Sequence, residues 1–320
     1  MRRLIWLSAV AAFAICYPLL LSSPFQQRLG ALVLLYAIAA SAWNIVGGYA
    51  GQVSVGHVVF FGCGAYAAMG SYAKFGLSPL FGIPGGIVLA VGLAAIIGVP
   101  TLRLSGHYFS MATIAVAELI RLVVGTWDFV GAAIGLQGPA VGRGWYDLTF
   151  RSEVPYYYIF LVTLGALLLI TWAIERTRFG YYLRAIKAGE RAARSLGVPV
   201  RRTKLYALML SAAFTSIAGS LYAIKTGFID PESGFGILVS VQMVIIAALG
   251  GAGTLYGPLV GAIILIPLQT ATNTWFGGGG TGLTYILYGG IIVVIARFEP
   301  GGLHELWYRV AAKLRRRDAA

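Results

Sequence analysis

Charge is scarce in this 320-residue chain: Asp, Glu, Lys and Arg together make up 11%, and just 11 residues are acidic. A soluble domain carries about 25% charged residues, so the deficit excludes a protein whose surface faces water throughout. The two cysteines, Cys16 and Cys63, lie in apolar runs and read as small core residues rather than a metal or redox pair. Three histidines, His57, His107 and His304, are too dispersed for a metal motif, so no metal is expected. No glycine-rich phosphate loop ending in Lys and Ser/Thr occurs, which excludes ATP binding by that route. No serine has a base at a suggestive spacing, and the longest hydrophilic stretch is about 30 residues, far below domain size. Nothing reads as an active site.

What is present is long uncharged sequence. Leu29–Ala73 and Ser233–Ala296 contain no Asp, Glu, Lys or Arg. A helix crosses the hydrocarbon core with about 20 apolar residues. The runs are continuously apolar rather than alternating, which favours helices over a barrel. The expected fold class is therefore all-α, a polytopic integral membrane protein of about ten helices, within a range of about eight to ten. Candidate spans are Leu4–Leu21, Leu29–Val46, Val53–Ala73, Gly82–Leu102, Tyr108–Trp127, Pro155–Ile174, Leu205–Ile224, Ile237–Gly253, Pro258–Trp275 and Gly282–Ala296. Leu4–Leu21 is read as a retained span rather than a leader, because it contains Pro18 and lacks a small-x-small cleavage site. Val53–Ala73, rich in glycine, and Tyr108–Trp127, with Glu118 and Arg121, are the spans most open to being broken or re-entrant.

The positive residues are clustered. Nine of 24 Lys and Arg fall between Arg176 and Lys204, and five more close the chain from Arg309 to Arg317. Such basicity can signal nucleic acid, but cytoplasmic loops of membrane proteins collect Lys and Arg, and topology is the better account. With both termini and the Arg176–Lys204 loop cytoplasmic, six spans precede the loop and four follow, so the parity closes. Asp128–Val154 and Asp230–Glu232 then lie outside, with Trp127, Trp145 and Tyr156–Tyr158 as interfacial anchors. In the loop, Leu183, Ile186, Ala193 and Leu196 have helical spacing, interrupted at Gly189 and ended by Gly197 and Pro199. Two readings fit: a docking helix for another protein, or a basic surface against anionic headgroups.

Residues 44–64 place Asn44, Gln52, Ser54 and His57 among six glycines in an apolar region. Small residues let helices approach closely, and broken glycine-bearing helices also build transporter sites. Packing and a solute path both remain open, and His57 alone reads first as an interior histidine. Glu118 and Arg121, three residues apart, share a helix face. They either touch solute or sit near a helix end and snorkel to water.

Family resemblance enters with longer blocks. Glu190-Arg191-Ala192-Ala193, with Gly197 four residues on, is similar to the coupling motif of ABC importer permeases, with Arg191 inserted after the glutamate. Together with Arg184-Ala185-Ile186, the Lys204-Leu205 helix start and Ala218–Ala223, it resembles the branched-chain amino-acid permease family, LivM type. Trp43–His57, continued by Phe60–Tyr66, and Leu249–Pro258 are similar to two further blocks of that family, in the same order. The resemblance covers roughly residues 30–300.

It implies a single permease domain over 1–320, with a cytoplasmic coupling loop at 175–204 and a basic cytoplasmic tail at 303–320. By the same resemblance, Arg184, Glu190, Ala192, Ala193 and Gly197 couple to the ATPase. Asn44, Gln52, Ser54, His57 and Glu118 are candidates for the translocation path, and Gly48, Gly51, Gly56, Gly250, Gly251 and Gly253 are structural. Expected partners are a second homologous permease, two ATP-binding subunits that carry ATP and magnesium, an external solute-binding protein and membrane lipid; no nucleic acid or cofactor is expected on this chain. The implied function is import of branched-chain amino acids across the bacterial inner membrane, with urea, short amides or other small amino acids as alternative cargoes. A self-contained secondary transporter or channel is the rival class.

Overall fold

A computed structural model describes residues 12–21, 23–139, 144–275, 286, 289–290 and 302–303. After a helical stretch at 12–20, the helices are α1 (Pro24–Asn44), α2 (Val58–Phe75), α3 (Pro79–Thr101), α4 (His107–Thr126), α5 (Glu153–Glu175), α6 (Arg178–Ala188), α7 (Glu190–Ser195), α8 (Val200–Thr226), α9 (Pro231–Phe235), α10 (Ile237–Gly250) and α11 (Gly257–Trp275). Their starts are written locally. Pro24, Pro79 and Pro231 stand in the first turns of α1, α3 and α9, where a missing N–H is harmless. Ser78, Ser152 and Thr177 cap α3, α5 and α6 by accepting from backbone amides.

Among the described residues, six helices are long and apolar enough to cross a membrane, so the chain is a multi-pass membrane protein. The expectation of about ten spans is not confirmed, since most of Gly282–Ala296 and the first eight residues of Leu4–Leu21 lie outside the described residues, as do both termini. α1 is the axis of the fold, packing against α5, α8, α10 and α11, while α2, α3 and α8 form a second tight group. Close approach there depends on missing β-carbons: one on Gly64 would overlap the Ser216 carbonyl, and one on Gly219 the Phe61 carbonyl.

The alternation of loops is visible in their contacts. On one face β1 (Leu136–Gln137) pairs antiparallel with β2 (Phe228–Ile229), Ser78 Oγ donates to the Tyr146 carbonyl, and Lys225 pairs with Glu153. The opposite face holds the arginine-rich α6 and α7, and is called the basic face below. Among the aromatic residues expected at the interface, Tyr156 and Tyr157 are buried, Tyr157 donating to the Ala14 carbonyl at 2.8 Å, whereas Trp127 and Trp145 are exposed. Cys63 is buried but Cys16 is exposed on its apolar helix, so just one of the two is a core residue.

The expected helix at Val53–Ala73 is also corrected. α1 runs into a π-helical turn at Ile45–Tyr49, residues 50–57 are irregular, and α2 begins at Val58. Irregular backbone survives at membrane depth where protein satisfies its polar groups. Here Trp43 Nε1 donates to the Ser54 carbonyl at 2.7 Å, Ser110 Oγ to the Val53 carbonyl at 2.6 Å, and the Val55 amide to Thr113 Oγ1 at 3.2 Å.

Candidate functional site

On the basic face, α6 and α7 form a bent arm held on the helical body. α6 has an apolar side on which Leu183 and Ile186 are buried, and Ile186, Ala193, Val198 and Val200 make a small cluster beneath the bend. α7 ends in a closed turn: the Gly197 amide donates to the Arg194 carbonyl at 3.0 Å and the Val198 amide to the Ala193 carbonyl at 3.1 Å. Gly197 has φ +79°, and a β-carbon there would meet nothing within 4 Å. The requirement for glycine is therefore conformational, not steric.

Ion pairs anchor the arm. Glu190 pairs with Lys204 in α8, whose side chain is 1% exposed, and accepts from Gln52 Nε2 at 3.3 Å. Arg184 pairs with Glu175 at 3.3 Å, and Glu175 accepts from the Tyr49 hydroxyl at 2.7 Å. Ala193 is buried, whereas Leu196 is 82% exposed, a large apolar side chain held out from the protein among arginines. Lys204 and Lys187 belong to this site as well; the family blocks contain Lys204 merely as a helix start and assign neither lysine a role. A lysine fourteen residues beyond the motif glutamate gives no spacing signal until the turn at Gly197 brings α8 back alongside.

Beside the arm, two glycine turns meet. Asn44 Oδ1 accepts from the Gly253 amide at 2.8 Å, and its Nδ2 donates to the Thr254 carbonyl at 2.9 Å. A β-carbon on Gly48 would overlap both the Gly253 nitrogen and the Asn44 side chain. Gly51 lies against Lys187, Gly253 has φ +89° beside Lys187 and the Gly48 carbonyl, and Gly251 has φ +116°. Gly250 packs on Gly257 at the start of α11, and Gly56 packs on the Thr113 carbonyl.

The five path candidates do not converge. Asn44 is engaged at this joint, Gln52 is bonded to Glu190 of the arm, and Ser54 is buried with its carbonyl held by Trp43. His57 lies wholly buried in the core: Ser211 Oγ donates to the Ala42 carbonyl at 2.6 Å, so Nε2 of His57 donates to that hydroxyl at 2.8 Å. Its Nδ1 has no hydrogen-bond partner among the described residues. Glu118 is elsewhere, on the outer side of α4, bonded to Arg121 Nε at 3.1 Å, while Arg121 Nη1 reaches Glu232 at 3.1 Å. At the opposite face a cavity of about 620 Å³, lined by Arg28, Glu153, Lys225, Gln269 and Asn273 among others, opens between α1, α5, α8 and α11. Among the described residues no cluster of His, Cys, Asp or Glu could hold a metal.

The family described as branched-chain amino acid transport system permease component matches residues 28–296. The chain belongs to that family. The permease is 27% identical to the LivM permease protein of the high-affinity branched-chain amino acid transport system of Escherichia coli, over 94% of this chain and 75% of that one. It is 34% identical to the LsrC permease protein of the autoinducer 2 import system of Klebsiella pneumoniae, over 34% of this chain and 33% of that one. A solved structure, PsaBC from Streptococcus pneumoniae in complex with Fab, aligns at 17% identity and a TM-score of 0.49, covering 92% of the permease and 98% of that chain. The permease is thus a subunit of the ABC transporter class.

Proposed function

We propose that the permease is one of two homologous membrane subunits of an ATP-driven importer for branched-chain amino acids in the bacterial inner membrane. The basic face and both termini are cytoplasmic, two ATP-binding subunits dock there, and an external solute-binding protein delivers cargo to the opposite face. ATP and magnesium are held by the partner subunits; this chain binds no cofactor and performs no hydrolysis. The observation that carries the reading is the α6–α7 arm, which buries Ala193 and Glu190's partner Lys204 while presenting Leu196 at 82% exposure. A solvated or lipid-facing basic loop has no need of a buried ion-pair anchor; an arm that must transmit force does. Closure of the ATP-binding subunits displaces the arm, and binding energy shifts the helices between two access states.

A second permease subunit is supported by α4. Just 17% of its span is buried, and Glu118 lies roughly 16 Å along the helix from His107 at 1.5 Å per residue. An ionisable pair at that depth does not face lipid, so this side of α4 faces protein or an aqueous path.

The test is a detergent pull-down of the permease co-expressed with its ATP-binding subunits. Excising residues 184–197 would strand buried Lys204, so Leu196→Asp is the informative variant: it leaves the anchor intact and charges the exposed tip. We expect recovery of the ATP-binding subunits to fall at least about tenfold, a loss of roughly 1.4 kcal/mol. Undiminished recovery would place docking elsewhere. The cargo is tested by competition of labelled leucine uptake with isoleucine, valine, urea and autoinducer 2, the last because the similar LsrC is named for it.

A further inference from the structure

The last turn of α6 carries Lys187, and its side chain occupies a slot made by the two glycine turns. Its stem lies on Gly51, where a β-carbon would come within 3.2 Å of Cγ. Its ammonium crosses to the second turn, donating to the Ala252 carbonyl at 3.3 Å, 2.6 Å from where a β-carbon on Gly253 would stand. Lys187 stays exposed along part of its length, but its head lies against the second turn rather than extending freely to water, and partial desolvation there lowers its basicity. Neighbouring ties run elsewhere: Arg184 holds α5 through Glu175, and Glu190 holds α8 through Lys204. Among the described residues, no other hydrogen bond or ion pair joins the arm to the Gly251–Thr254 turn. The slot itself is rigid, because Asn44 bonds the second turn at two points.

We infer that Lys187 is the transmission peg of the permease. It converts displacement of the α6–α7 arm into joint displacement of the Gly47–Gly51 and Gly251–Thr254 turns, and so of the basic-face ends of α1 and α10. This rests on the docking reading of the arm and adds how its movement reaches a part of the chain about 65 residues away in sequence, by a contiguous contact rather than by proximity. Lys187 is a positioning residue and touches neither cargo nor ATP.

The experiment uses the complex of this permease, its second permease, the ATP-binding subunits and the solute-binding protein in liposomes, with radiolabelled leucine as probe. Lys187→Met keeps the stem and removes the ammonium; Lys187→Ala removes both. We expect both variants to retain the ATP-binding subunits and to hydrolyse ATP, while leucine imported per ATP falls about threefold in Lys187→Met and about tenfold in Lys187→Ala. An unchanged ratio in Lys187→Ala overturns the peg; if that variant does not fold, an unchanged ratio in Lys187→Met does so. Wild-type permease that recruits no ATP-binding subunit, or imports no leucine, overturns the reading under Proposed function instead. Amide exchange on the purified permease then decides the peg: Lys187→Met must accelerate exchange in both glycine turns together, and acceleration in neither or one overturns it.

Discussion

Buried charge makes the Glu190–Lys204 pair asymmetric. Lys204 is 1% exposed and its partner side chain 30% exposed, so the two single deletions differ in what they strand. Glu190→Ala leaves an ammonium in the interior, a loss of about 3–5 kcal/mol. Lys204→Met leaves a carboxylate that can turn to water, a loss of about 1 kcal/mol. Thermal melts in detergent are expected to rank Glu190→Ala well below Lys204→Met, with the double variant near Lys204→Met. Equal losses would show that the pair is solvated. Gly197 separates conformation from space in the same way. With φ +79° and open surroundings, Gly197→Ala is expected to lose about 1–2 kcal/mol from left-handed backbone strain, while Gly197→Asn, which tolerates that region, stays near wild type. Both are read by the melt and by leucine imported per ATP. Identical behaviour of Ala and Asn would mean that something other than backbone conformation selects the glycine.

Single helices were legible in the sequence wherever one signal dominated, and joints between them were not. α3, α4, α5 and α8 lie close to the apolar runs that announce them, because a long, predominantly apolar run has one stable solution in lipid. α8 nonetheless begins at Val200 rather than Leu205, since Lys204 is neutralised by Glu190 and can be carried inside. The break at residues 50–57 was legible only as glycine content. What stabilises it is hydrogen bonding from Trp43, Ser110 and Thr113, and no periodicity encodes partners that far apart. Likewise the Gly47–Gly51 and Gly250–Gly253 turns look like unrelated loops about 200 residues apart until Asn44 is seen to tie them. Two alanine substitutions measure the difference between a joint and a bystander. Gly48→Ala places a methyl on the Gly253 nitrogen and the Asn44 amide, and it is expected to lose at least about 2 kcal/mol, of the order of overpacking a core. Gly92→Ala in α3 meets nothing within 4 Å and is expected to gain up to about 1 kcal/mol from helix propensity. If Gly48→Ala melts with wild type, the two turns are not in contact.

At the scale of the molecule, what matters is which outer faces meet lipid and which meet protein. α3 and α4 are both thinly buried, at 22% and 17% of their spans, so exposure alone does not distinguish them. Charge does. α3 exposes Val88, Leu89 and Ile96 and carries no ionisable residue, as a lipid-facing helix should. α4 exposes Met111, Leu119, Leu122 and Val123 around the Glu118–Arg121 pair, whose side chains are 45% and 29% exposed. Arg121 also reaches exposed Glu232 at 3.1 Å, but a charged group within a span still loses up to about 2.5–3.5 kcal/mol on insertion scales, and pairing on an exposed face does not fully restore the lost hydration. α4 therefore needs a neighbour that α3 does not. With Cys16 and Cys63 replaced, a cysteine at Leu122 is expected to cross-link to the second permease and to resist a lipid-phase maleimide, whereas one at Val88 reacts with the maleimide and forms no cross-link. Equal labelling at both positions would show α4 facing lipid, with Glu118 and Arg121 balanced by each other and by Glu232 alone.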